Sequence, residues 1–371
     1  MEEFLLNNPY FIVACGIGLL STIFYLVLLI AISSRQKKSL VLQPSEDISV
    51  VMAVKNEEKI IADNVRDWLL TMRHKDMDMV VADDQSWDGT PRLLKELSDN
   101  NEELHVVSLT EDRVKTTGKK FALTLGIKGA KNENVLLTDA DCLPATEDTA
   151  GYYSTVFKQG YNMVLGHSPL IGKGGFVQKI EAFSNSWWYL GFSSLGMFYM
   201  GVGRALAYNK EQFLKVGAFK SIYHLPYGDD DVFVNKFGSE FKKYLLLHPN
   251  SFIKSEPLKK VSDYWAQKRR HLAASKHYKF GHKLILSFPH LLNLLFLVGL
   301  GASTLLQALD WKLALIAFAS KILLDSILSI ILGSKIMYKN VAWFYGLWQF
   351  ISPLFQLFVK LTLLIKPVKR W

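Results

Sequence analysis

Asp139 and Asp141, separated by one alanine and preceded by the apolar run Val135-Leu136-Leu137-Thr138, are the residues best suited to chemistry. Two carboxylates at i and i+2, on a turn that follows a strand, can both reach one hard cation such as Mg²⁺ or Mn²⁺ and the phosphates it holds. A D-x-D triplet is common by chance, so its weight comes from its place at a strand end. A second acidic group, Asp229-Asp230-Asp231, follows Tyr227-Gly228 and precedes the apolar start Val232-Phe233. One acid suffices to cap a helix. Three crowded acids raise one another's pKa, which suits a general base that takes a proton from a hydroxyl near neutral pH. Asp83-Asp84 closes another apolar run and leads into Asp88-Gly89-Thr90. Asp88 reads as a helix cap, whereas a strand-end acid such as Asp84 is placed to bind a ribose or a base.

Three further groups accompany the acids. Gly118-Lys119-Lys120 stands before an apolar helix, where lysine charge and a helix N-terminus both favour phosphate, although lysine runs are more often a solvated face. Residues 261–279, VSDYWAQKRRHLAASKHYK, read as a basic helix with aromatics that anchors to lipid headgroups. Within it Gln267 and Arg270 are candidates for a catalytic role, since a guanidinium pairs well with diphosphate. Residues 176–199 carry Trp187, Trp188, Tyr189, Phe192 and Phe198, an aromatic density suited to a membrane interface or to stacking on a sugar.

The elements that must position these groups lie between residues 48 and 247, where short apolar runs alternate with helical ones, as in a parallel sheet with crossover helices. Residues 48–54 form the first strand, followed by the Asn56-Glu57-Glu58 turn and an amphipathic helix to about Leu70; residues 77–82 and 135–138 are later strands. Ligands in open α/β sheets bind at the carboxyl ends of strands, where these acids sit. The expected class is α/β, Rossmann-like, with a mostly parallel sheet and transmembrane helices in addition.

No charged residue occurs from 4 to 34, a run longer than the ~20 residues that cross a bilayer. Arg35, Lys37 and Lys38 follow, which places the N-terminus outside and the rest of the soluble part in the cytosol. A cleaved signal peptide fits poorly, because Glu2 and Glu3 replace the usual basic start and the apolar run is too long. Ile12-Val13-Ala14-Cys15 resembles a lipoprotein cleavage box only faintly, since hydrophobicity continues beyond it. Residues 284–309, 313–333 and 341–365 are three more apolar segments, giving four crossings. Lys321 and Asp325, four apart, share a helix face and neutralise each other. Four crossings put Lys366, Lys369 and Arg370 outside, against the charge rule; Pro353 breaks the last segment and leaves a re-entrant path open. The expected division is a membrane helix over 1–34, a cytosolic catalytic domain over 35–260, an interface helix over 261–283 and a membrane region over 284–371.

Composition agrees. Hydrophobic residues reach 50% and charged ones fall to 21% of 371, which implies lipid contact. The net charge of +9 could serve nucleic acid, an anionic membrane or an anionic substrate, and its concentration beside the apolar segments favours the last two. Two cysteines make no disulfide framework, as expected of a cytosolic domain.

Together these residues resemble glycosyltransferase family 2, in the membrane-embedded branch that includes cellulose and hyaluronan synthases and lipid-directed transferases. VVMAVKNEE resembles the family's first strand and turn, and VADDQSWDGT its V-D-D-x-S-x-D-G-T signature. The resemblance implies a glycosyltransferase-A fold at the inner membrane and a nucleotide-diphosphate sugar donor, with uridine favoured over guanosine. It also implies Mg²⁺ or Mn²⁺ at Asp139 and Asp141, and donor contacts from Ala53, Glu57, Asp84, Lys119 and Asp139. Tyr227 to Asp231 resembles the T-E-D or G-D-D motif, whose second acid, the base, falls on Asp230 with Asp229 beside it. MGVGRALAY, with Gly203, resembles the loop flanking the acceptor pocket, and Trp187 and Trp188 are taken as its acceptor-side aromatics. Gln267-Lys268-Arg269-Arg270-His271 resembles the Q-x-x-R-W motif of processive synthases, with His271 in place of the tryptophan. That departure and the short membrane region favour inverting single transfers to a lipid or glycan acceptor. The rivals are a processive β-glycan synthase, a catalytically inactive nucleotide-binding scaffold and, from the Lys321 and Asp325 pair, a transporter.

Overall fold

The computed structural model describes residues 8–37, 42, 47–72, 76–109, 118–306 and 309–365. A mixed seven-stranded sheet forms the centre of the soluble part. Its strands are β1 (Ser49–Val54), β2 (Asp78–Asp83), β3 (Leu104–Ser108), β4 (Asn134–Asp139), β6 (Met163–Leu165), β7 (Leu206–Asn209) and β8 (Lys243–Leu245), and β5 (Cys142–Pro144) pairs separately with β9 (Ile253–Ser255). The order is β3-β2-β1-β4-β7-β6-β8. β1 and β2 are buried along their whole length, the pattern of strands covered on both faces. The first four strands run parallel, and β1 registers Ala53 against Asp139 and Val54 against Asp83, so the acids that end β2 and β4 stand on one edge. β7 runs antiparallel to β4, which returns residues 200–205 to that edge.

Helices α2 (Ile61–Leu69), α3 (Thr90–Asp99), α4 (Lys119–Gly129) and α5 (Thr149–Lys158) flank the sheet. α6 (Phe176–Ser194) lies between sheet and membrane layer; the short α7 (Lys210–Lys215) and α8 (Asp231–Phe237) complete the domain. α9 (Val261–Ala274) ends earlier than 279 because a 3₁₀ turn, Ser275–His277, intervenes before the next helix begins at Phe280.

Among the described residues, four helices are long and apolar enough to cross a membrane: α1 (Pro9–Lys37), α10 (Phe280–Leu306), α11 (Trp311–Lys335) and α13 (Tyr345–Ile365), the last preceded by the short α12 (Lys339–Ala342). α1 continues past residue 34 because Arg35 is held by the soluble domain: its Nε donates to the Leu245 carbonyl at 3.2 Å and its guanidinium lies 4.1 Å over Tyr244. α10 starts four residues before 284, taking in Phe280 to Lys283 as its first turn. Residues 2, 3, 38, 366, 369 and 370, on which part of the topology reading rests, lie outside the described residues.

The interior of the bundle holds one hydrogen-bonded polar cluster. Lys321 Nζ lies 2.7 Å from Asp325 Oδ2, Thr22 donates to Asp325 Oδ1 at 2.8 Å, and Gln349 donates to Asp325 Oδ2 at 2.6 Å. Ser21 and Gln349 are joined through Asn293 at 2.9 and 2.8 Å. The i, i+4 pair read from the sequence is therefore formed, and it is tied to every one of the four long helices.

Pro353 does not break α13. The two ends of that helix nevertheless touch the same layer. At its start Tyr345 packs on Trp187 and Phe183 of α6; near its end Phe358 packs on Trp265 of α9, and Arg269 donates to the Thr362 carbonyl at 3.3 Å.

Candidate active site

The D-x-D turn and the aspartate triplet, ninety residues apart in sequence, face one another. Lys119 Nζ lies 2.8 Å from Asp139 Oδ1 and 3.2 Å from Asp229 Oδ2, so one ammonium bridges the two motifs. Burial would deprotonate Lys119, but Asp139 and Asp229 outweigh it and hold its pKa above the usual lysine range. Burial likewise pushes Asp229 up, and Lys119 and Lys120 bring it below the usual carboxylate range. Neither Asp230 nor Asp231 is paired with Lys119 in this way: burial, and then the neighbouring acid, raise both, Asp231 the further, while Lys119 only partly offsets the rise at Asp230.

Local structure fixes these positions. Lys119 opens α4 after Gly118, whose φ of +120° is one that glycine adopts freely. The Gly118 N–H donates to both oxygens of Asp84 at 3.0 and 3.1 Å, and Lys55 Nζ adds an ion pair at 3.4 Å. Asp84 is thereby fully buried behind the cleft wall instead of lining it, because strand β2 delivers it to the backbone of α4. Lys120 donates to the carbonyls of Leu225 and Tyr227 at 2.5 and 2.8 Å and ties α4 to the loop that carries the triplet. At that loop's turn Gly228 has φ +90°, and a Cβ there would lie 2.7 Å from Val232. Asp230 caps α8: its Oδ1 accepts from the Asp231 N–H at 2.7 Å and its Oδ2 from the Gly203 N–H at 3.0 Å.

A cavity of about 820 Å³ joins the expected residues: Ala53, Glu57, Lys119, Asp139, Asp141, Trp188, Gly203, Asp229, Asp230, Gln267 and Arg270 all line it. Trp187 does not. It is fully buried against Tyr25 of α1 and Tyr345 of α13, since its neighbour Trp188 points about 100° away on the helix and takes the cavity side. Residues 176–199 are thus mainly packing between domain and bundle. Arg204, which lines the cavity and donates to Ser168 at 2.6 Å, was not singled out by sequence; its place in the stretch MGVGRALAY was the local cue. Tyr278 was also missed, and its hydroxyl donates to Asp231 Oδ2 at 2.7 Å. α9 is fixed over the cavity by Lys268 and Tyr264, both bonded to the Glu181 carboxylate.

Asp139, Asp141 and Cys142 offer ligand atoms that all lie within 4.8 Å of one another. Burial and Asp141 keep the Cys142 thiol protonated, and it donates to Asp141 Oδ1 at 3.3 Å. That leaves a two-carboxylate donor set with one solvent-exposed member, which fits a hard divalent cation better than a thiolate-seeking one. Nearby Glu57 is pushed up to about 7 by burial and by Asp141, Asp88 and Asp139.

The fold is similar to that of a solved mannosyltransferase from Pyrobaculum calidifontis, determined in complex with GDP-Man and Mn²⁺. It is 16% identical, the match covering 93% of this chain and 99% of the other at a TM-score of 0.52. Among curated proteins, poly-β-1,6-N-acetyl-D-glucosamine synthase of Staphylococcus aureus (strain COL) is 29% identical over 163 residues, 43% of this chain. The match spans 38% of that relative's length. The family model described as glycosyl transferase family 2 matches residues 49–233, from the first strand to the helix that Asp230 caps. With that match laid over the strand-end acids, the glycosyltransferase-A sheet and four apolar helices, the chain belongs to glycosyltransferase family 2.

Proposed function

We propose that the protein is a membrane-bound inverting glycosyltransferase, which moves a sugar from a nucleotide-diphosphate donor to a hydroxyl of a lipid or glycan at the cytosolic face of the inner membrane. The observation that carries this is the Lys119 bridge, because it brings a phosphate-side acid, Asp139, and the base-side triplet together in one cavity. Asp139 and Asp141 would hold Mg²⁺ or Mn²⁺, which when bound supplies positive charge to a leaving diphosphate. Lys119 and Arg270, and Arg204 beside them, give the donor phosphates a cationic wall. Ala53 and Glu57 close the donor side, while Asp84 acts by holding Gly118 and so the start of α4.

Asp230 takes the acceptor proton. Its raised pKa and its two backbone hydrogen bonds leave it oriented and basic enough for that task. Transfer in a single displacement forms the bond from the acceptor oxygen to the anomeric carbon as the bond to the diphosphate breaks, with inversion. UDP-sugars are the favoured donors, and GDP-sugars come next.

The curated relatives are polymer synthases, which supports a second reading, processive synthesis of a β-glycan. An inactive scaffold is the third. The test is release of nucleoside diphosphate from a panel of UDP- and GDP-sugars by the detergent-purified chain with Mg²⁺ or Mn²⁺. Turnover of one donor that disappears with chelator, in Asp139→Ala and in Asp230→Asn supports transfer. Absence of turnover and of binding with every donor, lipids included, leaves the scaffold. Product length separates one transfer from many.

A further inference from the structure

Gln267, Arg270 and His271 of α9 line the cavity, and among the described residues none of the three side chains makes a hydrogen bond or an ion pair of its own. Burial holds Arg270 below the usual arginine range, against the pull of Asp229 and Asp263. Where these groups point is therefore set by where the helix lies. A displacement of α9 carries all three with it.

The helix is gripped from one face of α6. Gln178, Glu181, Asn185 and Trp188 recur at helical spacing along the cavity side of α6, while Ile180, Phe183, Trp187 and Leu190 pack into the core on the opposite side. The carboxylate of Glu181, which is 6% exposed, accepts from the Tyr264 hydroxyl and pairs with the Lys268 ammonium, two groups one turn apart on α9. From the same stripe Gln178 holds the approach to α9: its Nε2 donates to the Leu258 carbonyl at 2.9 Å and its Oε1 accepts from the Leu258 N–H at 2.8 Å. Trp265 on Phe358 and Arg269 on the Thr362 carbonyl tie α9 to α13 instead. A buried ion pair adds little net stability, because desolvation of its charges cancels most of their attraction. What it fixes is placement, since Tyr264 and Lys268 must both come to one carboxylate.

We propose that Glu181 is a positioning residue for sugar transfer, which acts through Tyr264 and Lys268 of α9 to hold Arg270 at the donor diphosphate. The inference rests on the transferase reading and adds to it a residue outside the acid motifs. A guanidinium stabilises a leaving diphosphate only where it is already in place, so a shift of α9 by about 1 Å is enough to lose rate.

The experiment is a double-mutant cycle on the full chain in detergent with Mg²⁺ or Mn²⁺, reading kcat/KM for nucleoside diphosphate release from the donor that the chain turns over. Glu181→Gln keeps the shape of the side chain and removes its charge, and kcat/KM should fall about tenfold. In an Arg270→Ala background the same substitution should change kcat/KM by less than about twofold, because the group that Glu181 positions is gone. Tyr264→Phe removes one of the two bonds and leaves the ion pair; it should lower kcat/KM about threefold, with the same dependence on Arg270, and it serves as the test where Glu181→Gln does not fold. An equal loss in both backgrounds, as a merely structural role would give, overturns the proposal. So does an unchanged kcat/KM in Glu181→Gln and Tyr264→Phe, or full activity in Arg270→Ala, which leaves nothing to position. Absence of any donor turnover by the unsubstituted chain instead removes the transferase reading beneath it.

Discussion

The ionisable clusters of the membrane bundle and of the cleft are bonded in opposite ways. In the membrane bundle, Asp325 is matched by Lys321, Thr22 and Gln349, so every oxygen of a buried carboxylate has a donor. In the cleft, three consecutive aspartates meet one bridging lysine, which pairs with Asp229 alone among them, and burial followed by the neighbouring acid raises the pKa of the other two. The first arrangement minimises the cost of charge away from water and favours one packing of four helices. The second keeps charge imbalanced beside an open cavity, the condition under which a carboxylate can take up a proton. The matched cluster thus has a structural part, and the mismatched one coincides with the proposed site of chemistry.

The comparison can be broken at either cluster. The largest effect is expected from Asp230→Asn, which keeps the shape and removes the proposed base: kcat for sugar transfer should fall roughly 10²–10⁴-fold, with donor affinity by titration nearly unchanged. A variant that retains kcat would move the base elsewhere. Next comes Asp325→Ala, which strands a buried ammonium. It should cost roughly 3 kcal/mol, read as an earlier denaturation midpoint in detergent, and Lys321→Met combined with Asp325→Leu should recover most of it. If the double variant is no more stable than the single, the pair is not the source of the loss.

Between the clusters lies His167, buried, with Nε2 donating to the Ile336 carbonyl at 3.0 Å and Nδ1 therefore accepting from the Tyr189 hydroxyl at 2.7 Å. Burial lowers its pKa to about 4. An unfolded histidine binds its proton near pH ~6.5, so between the two values only the unfolded chain is protonated. Stability is complete above pH ~6.5 and should fall by up to roughly 3 kcal/mol as pH drops toward 4, a loss that His167→Gln should blunt in pH-dependent unfolding. The smallest effect is expected at Tyr278. Tyr278→Phe removes one hydrogen bond to Asp231, and kcat should drop about tenfold while the donor KM holds, as for a positioning residue. A change in KM alone would place Tyr278 on the donor side.

Much of this site was legible because strand-end acids are local features. The run Val135 to Thr138 could only be a short buried strand, and Asp139 follows it directly. The acid triplet, the lysine after Gly118 and the i, i+4 pair in α11 were readable in the same way. Less legible was what each group touches. Asp84 carried a donor-binding expectation, yet its partners are a backbone N–H 34 residues later and Lys55, which no periodicity reveals. Trp187 and Trp188 were read together, but adjacent helix positions diverge, and packing against Tyr25 and Tyr345 decided which one was lost to the core.

By itself the sequence determined the alternation of strands and helices, the four apolar helices and the residue types able to hold a cation and take a proton. These follow from properties that act over a few residues: hydrophobic period, charge spacing and turn chemistry. Only the tertiary structure decided that Lys119 joins two acid motifs ninety residues apart, that Arg204 and Tyr278 belong to the cleft, and that α13 returns to the layer of α9. Such pairings depend on which surfaces of distant elements are buried against each other, a choice set by the packing of the whole chain.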